Sequence, residues 1–198
     1  MLRPLSAAVL VMSLMVSLNA PRRLWAQDSL KARSTVRLVS GPEVGRRAPS
    51  FRLPWANRDT IGAPDQPYDL SLDRGKTVVL AFFPRDFTDG CAAQLRTFAE
   101  HYDSLFGPDV VVVGISIDSL ATHRRFASTL DLPFRLLSDP GQDVARRYAS
   151  HGGSGVMRRT VYVVGPDGLV RYRNTRFDAL DPSHYAELGA AVRRSSGV

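Results

Sequence analysis

The sequence predicts an α/β domain with a mixed central sheet and helices on both faces. Three observations carry that reading. Two continuous apolar runs, Thr77–Phe83 (TVVLAFF) and Val110–Ile117 (VVVVGISI), have the length and the β-branched and aromatic content of strands buried on both faces. Between them, Leu95, Phe98, Tyr102, Leu105 and Phe106 fall on one face of a helix spanning roughly Cys91 to Phe106. Near the C-terminus, the turn Gly165-Pro166-Asp167-Gly168 separates Thr160–Val164 from Leu169–Tyr172, a hairpin signature. The strand–helix–strand unit makes parallel neighbours and the hairpin makes antiparallel ones, so the sheet is expected to be mixed.

The remaining elements follow in order. Leu5–Leu18 (LSAAVLVMSLMVSL) is an uncharged, mostly apolar run of 14 residues. A membrane span needs about 18–20 such residues, so this run reads as the core of an export signal. Residues 1–26 are therefore expected to be a signal peptide cut after Ala26, or an uncleaved N-terminal anchor. Either places the rest of the chain outside the cytoplasm, as a periplasmic, secreted or membrane-anchored protein. Residues 27–43 are polar and mixed, and read as a linker; the domain is expected over 44–198. Within it, 48–72 holds short apolar pieces broken by Pro and Gly, read as small strands joined by loops. Leu120–Leu130 reads as a helix, Phe134–Leu137 as a strand and Gln142–Tyr148 as a helix. A last helix opens at Asp181-Pro182, with Asp as its cap and Pro in the first helical position. This is the layout of a thioredoxin-like fold.

Composition excludes several classes of function. The 198 residues are 44% hydrophobic and 23% charged, ordinary for a folded chain. A single cysteine rules out an internal disulfide framework, a CxxC redox pair and any zinc site with two Cys ligands. The formal charge is +7, and without residues 1–26 it is +4, from 23 Lys+Arg against 19 Asp+Glu. The basic residues are almost all arginine, spread with no block longer than two, so nucleic acid is not an expected partner. His101, His123, His151 and His184 lack metal-ligand spacing and are expected at the surface.

Cys91 stands where the first buried strand has ended and the next helix begins, in Phe82-Phe83-Pro84-Arg85-Asp86-Phe87-Thr88-Asp89-Gly90-Cys91. The free N–H groups and dipole of a helix N-terminus favour an anion, and so a thiolate. Thr88 could turn its hydroxyl to the same spot, and Pro84 ends the strand as a rigid apolar lid. By position alone, a reactive thiol and an inert or partner-linked one are equally compatible with the sequence.

The run Pro84-x-x-x-Thr88-x-x-Cys91 resembles the active-site signature of the peroxiredoxins, thiol peroxidases of the AhpC/TSA type, including the bacterioferritin-comigratory proteins. The likeness extends over roughly 44–175: Val44-Gly45 with Ala48-Pro49-Ser50-Phe51, Val78–Pro84, Gln94, Phe134–Asp139 and Arg158-Arg159-Thr160-Val161 occur in the family's order. The resemblance implies that Cys91 is the peroxidatic nucleophile and that Thr88 orients the peroxide. It implies that Arg158, two residues before a Thr, holds the thiolate; alternation along the strand would turn Arg159 to the opposite side. The implied chemistry needs no metal, flavin or other cofactor. Its partners are a hydrogen peroxide or organic hydroperoxide substrate and an external thiol or thioredoxin-like reductant. A homodimer is left open.

The departures are specific. The family's resolving cysteine is missing, with Arg96 standing five residues past Cys91, so an outside thiol has to complete the cycle. Asp89 stands where many relatives have Pro, close enough to repel a thiolate. Two other readings follow from these departures: a non-catalytic thioredoxin-fold redox sensor or binding module, and a thiol–disulfide oxidoreductase. The second lacks the CxxC it needs, because Ala92-Ala93-Gln94 follow Cys91.

Overall fold

A computed structural model describes residues 40–153 and 155–196. The run expected to be an export segment, and most of the residues expected to be a linker, lie outside the described residues. In chain order the elements are β1 (Arg52–Leu53), β2 (Trp55–Ala56), β3 (Tyr68–Asp69), β4 (Thr77–Phe82), α1 (Asp89–Glu100) and α2 (Tyr102–Leu105). They continue with β5 (Val110–Ser116), α3 (Leu120–Thr129), β6 (Arg135–Ser138), α4 (Asp143–Arg147), β7 (Thr160–Val164), β8 (Val170–Asn174) and α5 (Pro182–Ser196). A single 3-10 turn, Leu70–Asp73, follows β3.

The main sheet has the order β2-β6-β5-β4-β7-β8, and β1 pairs with β3 in a separate ribbon. The pairs β4–β5 and β5–β6 are parallel, while β4–β7, β7–β8 and β2–β6 are antiparallel. The mixed sheet expected from the βαβ unit and the hairpin is therefore the one that forms. All six residues of β4 are buried, as its continuous apolar run requires of a central strand.

Alternation along the strands feeds two cores. Val79, Ala81 and Phe83 pack with Val161 and Val163, with Leu95 and Phe98 of α1, Phe126 of α3 and Leu188 of α5. Val78, Leu80 and Phe82 point the other way, onto Tyr148, Tyr162, Phe51 and Tyr68. Cys91 belongs to the first core.

The helix expected over 91–106 breaks in two. His101 leaves helical geometry (φ −111°, ψ 23°), and α2 restarts after it. The offset lets the Tyr102 ring stack on Phe134 and its hydroxyl donate to the Val110 carbonyl at 3.0 Å. Residues 40–43, read as linker, already lie against the domain: Arg173 donates to the Ser40 carbonyl, and Pro42 is buried. The Ser138-Asp139 end of β6 has a local purpose. The Asp139 carboxylate accepts the N–H groups of Asp143, Val144 and Ala145 and so organises the start of α4.

Candidate active site

The site is built at the C-terminal end of β4. The Phe83 N–H donates to Ile115, the last contact with β5, and Pro84 then carries the chain off the sheet half-buried. Phe87 takes a left-handed backbone (φ +56°), a costly conformation for an aromatic residue. Its ring rests on Phe126, with centroids 4.9 Å apart. Thr88 is the extended N-cap of α1, and its carbonyl accepts the N–H groups of Cys91 (3.0 Å) and Ala92 (2.8 Å). Cys91 thus sits in the first turn of a three-turn helix, on its electropositive end.

The Cys91 side chain is 0% exposed. The Arg159 guanidinium converges on it, with Nη2 donating to Sγ at 3.4 Å and Nη1 donating to Gln94 Oε1 at 2.5 Å. Gln94 lies one helical turn beyond Cys91, so one side chain bridges two successive positions on the buried face of α1. Gly90 keeps room for it: a Cβ there would stand 3.2 Å from Arg159 Nη2. A guanidinium beside a sulfur at a helix N-terminus favours the thiolate and can stabilise negative charge on an attacked oxygen.

This arrangement corrects the assignment of Arg158. That side chain is exposed, and its backbone N–H donates to the Ser150 carbonyl. The reason is the period of the strand. Val161 and Val163 face the core containing Cys91 and Tyr162 faces away, so counting back in twos from Val161 brings Arg159 to the Cys91 side. The signal was present in β7; counting from the Thr rather than from the core-facing valines missed it.

Thr88 is exposed, and its hydroxyl donates to the Arg85 carbonyl at 3.0 Å rather than to sulfur. Asp89 is exposed in the first turn of α1, where water screens its charge. His123 is not at the surface as expected but fully buried. Its Nδ1 lies 2.8 Å from Asp86 Oδ2, and both side chains are 0% exposed. Burial pushes the Asp86 carboxyl above its ordinary range, against the pull of His123.

A mixed sheet with a lone cysteine buried beneath an arginine at a helix N-terminus defines a thiol-chemistry member of the thioredoxin-like proteins. Residues 44–173 match the AhpC/TSA family, and the chain belongs to it. It is 35% identical over 143 residues to the putative peroxiredoxin bcp of Coxiella burnetii, covering 65% of this chain and 85% of that protein. It is 34% identical over 155 residues to the chloroplastic peroxiredoxin Q of Triticum aestivum, covering 77% of this chain and 65% of that one. The solved structure of peroxidoxin BcpB from Mycobacterium tuberculosis superposes with a TM-score of 0.66 at 26% identity, over 77% of this chain and 97% of that one. AhpC from Enterococcus faecalis shares the fold, with a TM-score of 0.68 at 22% identity over 79% of this chain and 94% of that one.

Proposed function

We propose that the protein is a one-cysteine peroxiredoxin that reduces hydrogen peroxide or an organic hydroperoxide at Cys91. The observation that carries this reading is Arg159 Nη2 donating to the buried Sγ of the chain's sole cysteine, at the start of α1. In the reaction the thiolate attacks the distal peroxide oxygen and the O–O bond breaks. The departing oxygen takes a proton and leaves as water or an alcohol, and Cys91 becomes a sulfenic acid. Arg159 stabilises the charge that passes from sulfur to the departing oxygen. One external thiol then condenses with the sulfenic acid, releasing water and leaving a mixed disulfide. A second thiol frees Cys91 and departs as a disulfide. The outside thiol is required because the chain has no second cysteine.

Location outside the cytoplasm belongs to the same proposal and rests on the apolar run Leu5–Leu18. The test of function uses residues 27–198 given near-stoichiometric hydrogen peroxide with a sulfenic-acid trap present. Rapid single-site labelling of Cys91 by intact mass, slowed by Arg159→Met, is the expected result. No labelling within minutes would mean an ordinary thiol and end the proposal. Labelling without turnover, with persistent adducts on a defined protein, would favour the sensor instead.

A further inference from the structure

Two carboxyl groups stand shortly before the cysteine. Asp89 is exposed and its charge is screened. Asp86 is different: its side chain is 0% exposed, five residues from Cys91 in the chain. A buried carboxylate there would oppose a thiolate, since a like charge disfavours ionisation of its neighbour.

We propose that Asp86 and His123 form a neutral pair, with the proton held on the buried Asp86 carboxyl and a bare His123 Nδ1 accepting it, so that the loop leading into Cys91 carries no buried negative charge. This rests on the reading of Cys91 as the peroxide-attacking thiol.

Three observations lead there. His123 Nε2 lies 3.2 Å from the Leu137 carbonyl, which can only accept, so Nε2 carries a hydrogen. At the other ring nitrogen, the 2.8 Å contact between Nδ1 and Asp86 Oδ2 holds one proton, on nitrogen as an ion pair or on oxygen as a neutral pair. Asp86 Oδ1 decides between them: it is buried and has no hydrogen-bond partner among the described residues. In an ion pair that oxygen would share a full negative charge with nothing to meet it. In the acid form it is only an unpaired carbonyl, which costs far less.

The surroundings agree. The Asp118 carboxylate accepts both the Asp86 N–H at 2.8 Å and the Ser116 hydroxyl at 2.7 Å, placing an anion beside Asp86 that disfavours a second one. Burial is the main cause that pushes the Asp86 carboxyl above its ordinary range, His123 pulls against it, and Asp118 adds to it. The pair is also a positioning device: it ties the loop between Pro84 and Thr88 to α3, which carries His123, and to β6, which carries Leu137. The Phe83 ring lies 6.4 Å from the His123 ring and packs in the core that holds Cys91.

The test uses the full chain. Nitrogen-15 NMR of labelled histidine, with His123→Ala assigning the signal, is expected to show one protonated and one bare ring nitrogen at neutral pH. The infrared difference between wild type and Asp86→Asn is expected to show the carbonyl stretch of an un-ionised acid. Two protonated nitrogens, or carboxylate bands alone, would overturn the proposal.

The effect on Cys91 is read from thiolate absorbance and alkylation rate. Asp86→Asn replaces the un-ionised acid by a neutral side chain of the same shape, so the midpoint of thiolate formation should stay within about 0.3 pH unit of wild type. Removing a buried charge at that position would instead lower the midpoint by about one pH unit, raising the thiolate present below it about tenfold, and that result would overturn the proposal. None of these readouts uses peroxide, so they decide the matter even if Cys91 fails to react with one.

Discussion

Replacing Arg159 with methionine keeps the length and apolar stem of the side chain while removing both guanidinium contacts, Nη2 to Cys91 Sγ at 3.4 Å and Nη1 to Gln94 Oε1 at 2.5 Å. A hydrogen bond to a charged group contributes about 1.5–3 kcal/mol, and each 1.36 kcal/mol is about tenfold in rate. The second-order rate of Cys91 sulfenylation by hydrogen peroxide should therefore fall about 10- to 150-fold. Arg158→Met is the internal control. Its side chain is exposed, and the backbone N–H that bonds Ser150 is untouched by the change. A surface substitution of this kind shifts free energies by about 0.5 kcal/mol or less, so its rate should stay within about threefold of wild type. The assay is mass-spectrometric trapping of the sulfenic acid under pseudo-first-order peroxide, with circular dichroism to show that both variants are folded. If Arg158→Met slows the reaction as much as Arg159→Met, or if Arg159→Met slows it less than about threefold, the assignment of the arginine is wrong.

Three further outcomes test the fold that holds the site. Phe98→Ala empties the centre of an aromatic cluster in which Phe98 meets Phe106, Phe177 and Tyr185 edge-on, and should cost about 3–5 kcal/mol in denaturant unfolding. Gly41 has φ +63°, and a Cβ there would stand 2.8 Å from both the Tyr148 carbonyl oxygen and the Tyr162 hydroxyl. Gly41→Ala should therefore lower stability by about 1–3 kcal/mol while leaving the cysteine's reactivity unchanged. Asp69 caps the 3-10 turn through the Ser71 hydroxyl and N–H, and these bonds hold its carboxyl below the ordinary range. A lowered carboxyl contributes stability above its unfolded pKa and loses it as pH falls through the folded one. Asp69→Ala should thus cost about 1 kcal/mol at neutral pH, with the gap to wild type closing in acid; a gap that widened on acidification would contradict the cap.

Much of this molecule could be read without coordinates because its signals are local. The apolar runs at Thr77 and Val110, the Gly165–Gly168 turn and the Asp181-Pro182 start each depend on residues adjacent in the chain, and each gives the element expected. Asp181 does cap α5, accepting the Ser183 N–H at 2.9 Å. The place of Cys91 at a helix start is local in the same way, because the end of β4 and the start of α1 both lie within nine residues of it. The alternation of β7 is local too, and it points Arg159, not Arg158, at the cysteine's side of the sheet.

Other features had no local signature. The break at His101 answers to Phe134 and Val110, which come from later elements. His123 sits in a helix whose pattern permits either face, and its burial depends on Asp86, 37 residues away, and on Leu137. By itself the sequence determined the mixed sheet and the helix that carries Cys91, since these follow from short-range periodicity. Only the tertiary structure decided which guanidinium reaches the sulfur across 68 residues of chain, and which histidine meets the buried carboxyl. Those contacts form when the sheet brings β4 and β7 side by side and α3 packs over β6, and no stretch of neighbouring residues encodes that distance.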